Sequence, residues 1–200
     1  MRLLASVLLL ASLFSGCASP PSPAVRPFGD NQHWIVTENL VYRVGNSKDH
    51  IVVPQGFVTD YASIPKGLWS LGLSPHGRYS RAAVIHDFLY WAQPCSRAQS
   101  DRLMLIAMKE SKVGFFDETV VYHGVDFGGK SSWDQNSSER TAGLPRVVPH
   151  EHMRPKDPNV TWPEYRAWLV GKGVKDPQFP KSPAYCVHGN STQVPSYVAK

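Results

Sequence analysis

Hydrophobic and polar positions change their period several times along the chain. Trp34-Ile35-Val36 and Leu40 to Val44 are short apolar runs on either side of Glu38-Asn39, and Ile51 to Phe57 is a third. Short runs rich in β-branched and aromatic residues, bounded by polar turns, predict the strands of a small antiparallel sheet. From Arg81 the period becomes helical. Ala82, Ala83, Ile85, Leu89 and Tyr90 recur at helix spacing, Gln93-Pro94-Cys95 breaks the pattern, and it resumes with Met104, Leu105 and Met108. Ser96 with Gln99 three residues on is a reciprocal capping pair, so a second helix starts at about Ser96 and an antiparallel helical hairpin results. Gly114 is read as the end of that helix, and Asp117 as the start of a third that runs through Phe127 to Gly128-Gly129. Lys130 to Asn159 is polar and proline-rich without periodicity, which predicts an irregular excursion. Thr161 and Glu164 repeat the capping signature and open a short helix over about 162–171. The fold class expected is α+β: a small antiparallel sheet, a helical hairpin, a third helix and a long irregular C-terminal region.

The hairpin brings two polar residues level. His86 lies five residues before Trp91, the expected end of the first helix, and Asp101 lies five residues after Ser96. At a rise of roughly 1.5 Å per residue both stand about 7.5 Å from the turn. Asp101 shares its helix face with Met104, Leu105 and Met108, so it needs a partner, and His86 is in place. A carboxylate that holds one imidazole nitrogen leaves the other to take a proton, the arrangement of a general base and its orienter. The same pair would also satisfy itself as a purely structural contact in a core. Asp87 points about 100° away from His86 around the helix and is available for another task. One such task is a cation site completed by Asp60 and nearby carbonyls, since calcium takes carboxylate and backbone oxygens together. Alternatively Asp60 caps its own turn.

At the N-terminus, Met1-Arg2 precedes an apolar run from Leu3 to Phe14. It is too short for a bilayer, which needs roughly 20 apolar residues, but suits a secretory signal. Leu13-Phe14-Ser15-Gly16-Cys17 resembles the cleavage and lipidation site of bacterial lipoproteins, which implies a signal peptide over 1–16 and a lipid-bearing Cys17. Ordinary secretion with a free Cys17 is the alternative. Ala18 after the cysteine points to the outer membrane, facing the periplasm. Residues 17–28, rich in Pro and Ser, read as a tether, 29–129 as the core domain, and 130–200 as a C-terminal extension. Cys95 and Cys186 remain, and in an oxidising compartment they read as a disulfide or as two free thiols.

With 42% hydrophobic residues the chain can build a core. Its formal charge of +5 is spread out, with no basic stripe among aromatics, so nucleic acid is not an expected partner. Arg78, Arg81, Arg97 and Arg102 gather around the hairpin, where they would meet anionic head groups or phosphate, or else form a solvated face. His150-Glu151-His152 has chelating residue types but reads as an exposed loop.

Two resemblances rest on these residues. Gly56-Phe57-Val58-Thr59-Asp60, Ser63-Ile64-Pro65, Gly77-Arg78-Tyr79, Ala82 to Tyr90 and Ser96-Arg97 with Asp101 resemble the bacterial and phage family known as domain of unknown function 1353, which brings no activity. More distantly, the hairpin resembles bacterial and fungal phospholipase A2, where a His-Asp-x-x-Tyr helix precedes a second helix with an Asp. That resemblance implies His86 as the base acting on a phospholipid ester, Asp101 as its orienter and Tyr90 in support. It also implies Asp87, with the Thr59-Asp60-Tyr61 loop, as a calcium site, and it places Tyr122 on a third helix. Expected, then, is a lipid-anchored esterase. The alternatives are a non-catalytic, phage-derived envelope module that binds a partner protein, and a metal-dependent phosphohydrolase that takes His76 as a further ligand.

Overall fold

The computed structural model describes residues 22–61 and 77–196, with the side chains of all but residues 115–118, 120–121 and 123–128. Five strands come first: β1 Val25–Pro27, β2 Trp34–Val36, β3 Leu40–Arg43, β4 His50–Val53 and β5 Val58–Thr59. The helices are α1 Ser80–Ala92, α2 Arg97–Glu110, α3 Phe115–Thr141 and α4 Trp162–Gly171, with 3-10 turns at His150–His152 and Ala184–Asn190. The expected α+β class holds.

The strands form two antiparallel units, a β1-β2-β5 sheet and a β3-β4 hairpin. The expected third strand is split between them. Ile51 and Val53 pair with β3, then Pro54 to Gly56 turns the chain, and Val58-Thr59 pairs with β2. Pro54 has no amide hydrogen for a ladder, and Gly56 takes φ +87° where any Cβ would overlap the Val148 carbonyl oxygen. Segment 146–148 then covers the free edge of β5 through Val58 N–H to Arg146 O and Val148 N–H to Gly56 O.

Residues 25–27, expected within the tether, form β1 in register with β2, Val25 opposite Val36 and Pro27 opposite Trp34. Pro27 is tolerated because β1 is an edge strand. Side chains alternate across β2. Trp34 and Val36 enter the main core with the helices, while Ile35 and Val58 face a second core of Phe28, Val148, Trp162, Tyr165 and Leu169. The capping box at Thr161 and Glu164 starts α4 as expected, and α4 fills that second core.

Helix α1 is buried on all sides except Arg81, so it forms the axis of the fold. Gln93 closes it in the left-handed conformation, and the Ser96–Gln99 capping box opens α2. Two expectations fail beyond α2. Its C-cap is Ser111, and Gly114 instead caps the start of α3. Helix α3 does not stop at Gly128-Gly129 but continues to Thr141, so residues 130–141 are helical rather than irregular. Glycine disfavours a helix interior by roughly 1 kcal/mol, which tertiary contacts outweigh here. Trp133 packs edge-on against Tyr90, and Arg140 donates to the Trp91 and Ala92 carbonyls and to Gln93 Oε1.

Candidate functional site

The hairpin geometry brings His86 and Asp101 into contact, as the helix rise predicts. His86 Nε2 lies 3.1 Å from Asp101 Oδ1, and the two residues are 4% and 2% exposed. A carboxylate can only accept, so Nε2 donates and Nδ1 is the ring nitrogen left to take a proton. The carboxylate is itself held in place. Tyr90 O–H donates to Oδ1 at 2.6 Å, and Arg97 Nη1 donates to Oδ2 at 3.1 Å. Tyr90 also lies against the His86 ring, with centroids 4.0 Å apart. Burial, followed by the hydrogen bond to Asp101, raises the Tyr90 phenol, which keeps it a donor.

Two further residues complete the cluster, neither of them expected in that role. Arg97 precedes Asp101 by four residues, a spacing that places both on one helix face and was legible. Gly129 is the other: a Cβ there would overlap the Tyr90 hydroxyl oxygen and stand 3.2 Å from Tyr90 Cζ. The glycine is what lets α3 lie against the cluster.

A second polar group surrounds Asp87, on the adjoining face of α1. Asp87 Oδ2 accepts from Thr59 O–H at 2.5 Å and from Asp60 N–H at 3.1 Å, and Tyr61 N–H donates to Thr59 Oγ1 at 3.1 Å. Asp60 and Asp87 therefore do come together. Burial, then the charge of Asp60, pushes the Asp87 carboxyl up to about 8, against the opposing pull of Arg146 and Thr59. Asp60 already has a cationic partner, since Arg146 Nη2 lies 3.0 Å from its Oδ1. Tyr61 turns the chain with φ +55° while its ring packs on Trp34 in the core.

Calcium takes roughly six to eight oxygen ligands. Among the described residues this locus has two carboxylates, one of them paired with a guanidinium, and no group of three or more His, Cys, Asp or Glu side chains suited to a metal. The donors described at this locus are fewer than a calcium ion takes, and residues 62–76, which follow Asp60, lie outside the described residues.

Cys95 and Cys186 form the disulfide. Each arginine around the hairpin has a hydrogen-bond partner within the protein, Arg97 on Asp101. Arg78 reaches Lys112 O, Arg81 reaches Val41 O and lies over Tyr42, and Arg102 reaches Gly189 O. His150 to His152 form a short 3-10 turn, with His152 against Trp168. The signal segment with Cys17, the Ser63-Ile64-Pro65 turn and His76 lie outside the described residues. No described helix is long and apolar enough to cross a membrane.

Residues 34–125 match the model of a family described as a protein of unknown function (DUF1353). The match takes in His86, Asp87, Tyr90, Arg97 and Asp101, and leaves out Gly129 and Arg146. No curated protein and no solved structure matches the chain.

Proposed function

Taking the family match over residues 34–125 as the premise, we propose that the protein is a bacterial envelope lipoprotein whose hairpin hydrolyses lipid esters in the manner of phospholipase A2. The observation that supports this most is the triply held Asp101, which fixes the ring of His86 from behind. In this reading His86 Nδ1 removes a proton from water as the water oxygen bonds to the ester carbonyl carbon. Asp101 steadies the imidazolium that forms. The imidazolium returns its proton to the alkoxide as the carbon–oxygen bond breaks, giving a fatty acid and an alcohol. Tyr90 and Arg97 act through Asp101 and are positioning residues.

The burial of His86 and Asp101 favours a second reading, a non-catalytic module whose polar cluster only completes the core. The two are separated by assaying phospholipid and short-chain ester hydrolysis by the purified protein beside His86→Ala, with calcium and with chelator. Fatty-acid release that disappears in a folded His86→Ala protein supports the hydrolase. Absence of turnover in wild type, with the variant merely less stable, overturns it in favour of the structural cluster.

A further inference from the structure

A cleft of about 440 Å³ lies between β4, α1 and the C-terminal tail. Val52, Pro54, Phe88, Pro177, Phe179 and Tyr185 line it, and the Phe88 and Phe179 rings meet edge-on with centroids 5.6 Å apart. Its size falls in the range of small-ligand sites, roughly 300–1,000 Å³. The walls are held in place before any ligand arrives. Prolines fix the tail, Ser182 N–H bonds to Pro94 O, and the Cys95–Cys186 disulfide sits directly beside Pro94 and Tyr185. His50 and Asp49 also line it, the latter paired with His188 at 2.7 Å. The lining is mostly apolar, which suits a hydrocarbon occupant.

The lipid anchor of the proposed function indicates where that hydrocarbon comes from. Strand β1 begins eight residues after Cys17. Fully extended, that stretch reaches about 28 Å. The entry to β1 is tied to the edge of the cleft: Thr37 N–H bonds to Ala24 O, Gln55 Nε2 bonds to Thr37 O, and Pro54 beside Gln55 lines the cleft. The same edge exposes the cross-strand pair Val41 and Val52, at 51% and 45%, and Val52 continues into the cleft. An acylated Cys17 would thus hold an apolar edge with an open apolar cleft close to the bilayer.

We propose that this cleft takes the acyl chain of a membrane lipid. The site is separate from hydrolysis, because the α1 residues that line it, Phe88 and Ala92, are turned roughly 200–240° from His86. The inference rests on the lipid anchor of the proposed function and not on its chemistry.

The test places the full, anchored protein in phospholipid nanodiscs that contain a phosphatidylglycerol with a photoreactive diazirine in its acyl chain, and maps adducts by mass spectrometry. Adducts on peptides bearing Val52, Phe88 or Phe179 are expected. Ala184→Trp, at an exposed position on the rim, should abolish them while leaving the melting temperature unchanged. His86→Ala should leave them in place whether or not hydrolysis is found. Adducts confined to the anchor peptide, or persisting unchanged in Ala184→Trp, overturn the proposal.

Discussion

Replacing Gly129 by alanine sets a local preference against a tertiary contact. By helix propensity alone the change stabilises α3 by about 0.8–1.0 kcal/mol. In this fold the added Cβ would overlap the Tyr90 hydroxyl, so either α3 moves away or Tyr90 gives up its hydrogen bond to Asp101. A hydrogen bond to a charged group is worth about 1.5–3 kcal/mol net, so Gly129→Ala should destabilise the protein by about 1–2 kcal/mol. Tyr90→Phe removes the oxygen that Cβ would strike and leaves the contacts 3.2 Å from Cζ and 3.4 Å from Arg97 Nη1. In that background Gly129→Ala should be neutral or stabilising by up to ~1 kcal/mol. The double-mutant cycle would then show a coupling of about 2 kcal/mol between positions 90 and 129. Urea unfolding followed by circular dichroism measures all four proteins. Equal stabilisation by Gly129→Ala in both backgrounds would refute the reasoning, because α3 would not be lying against Tyr90.

Three further outcomes concern other buried groups. With Asp87 pushed up to about 8, the native state retains a proton that the unfolded chain releases, so stability should fall as pH rises from the ordinary carboxylate range to about 8 and level off above it. Melting temperatures across that range should flatten in Asp87→Asn; a flat wild-type profile defeats the expectation, and a rise on adding calcium above pH 8 would restore the metal reading. Asp176→Ala should cost about 3–5 kcal/mol in chemical unfolding, because Trp91 Nε1–H and the amides of Arg146 and Val147 all donate to that carboxylate; a loss under 1 kcal/mol contradicts it. Reducing the Cys95–Cys186 bridge, which spans 91 residues, should cost on the order of 4–5 kcal/mol in the chain-entropy model, and a reductant should leave the melting of the Cys95→Ala/Cys186→Ala protein unchanged.

The parts of this fold that were legible in the sequence rest on local chemistry. The capping boxes at Ser96 and Thr161 mark helix starts through contacts three residues apart. The level placement of His86 and Asp101 needs only the helix rise and a short turn. The sequence pattern misleads where distant segments decide. Gly128-Gly129 is a stop signal by propensity, and only the packing of Tyr90 and Trp133 makes a glycine an asset there. Val25-Arg26-Pro27 reads as tether until β2 supplies a partner. Arg146 lies 86 residues from Asp60 in an aperiodic stretch, so nothing local announces their ion pair.

Those distant partners bear on what constitutes the folding unit. The family match ends at residue 125, yet several of the buried polar groups within it are completed from beyond. Asp60 depends on Arg146, the Trp91 indole on Asp176, the last carbonyls of α1 on Arg140, and Cys95 on Cys186. Leaving a buried donor or acceptor without its partner costs about 1–3 kcal/mol, against a total stability of roughly 5–15 kcal/mol for a typical protein. Residues 130–190 thus act as structural complements to the hairpin rather than as an appendage. Because α1 carries both His86 and Asp87 and is enclosed on nearly every side, anything that loosens the extension should be felt at the candidate site through that helix.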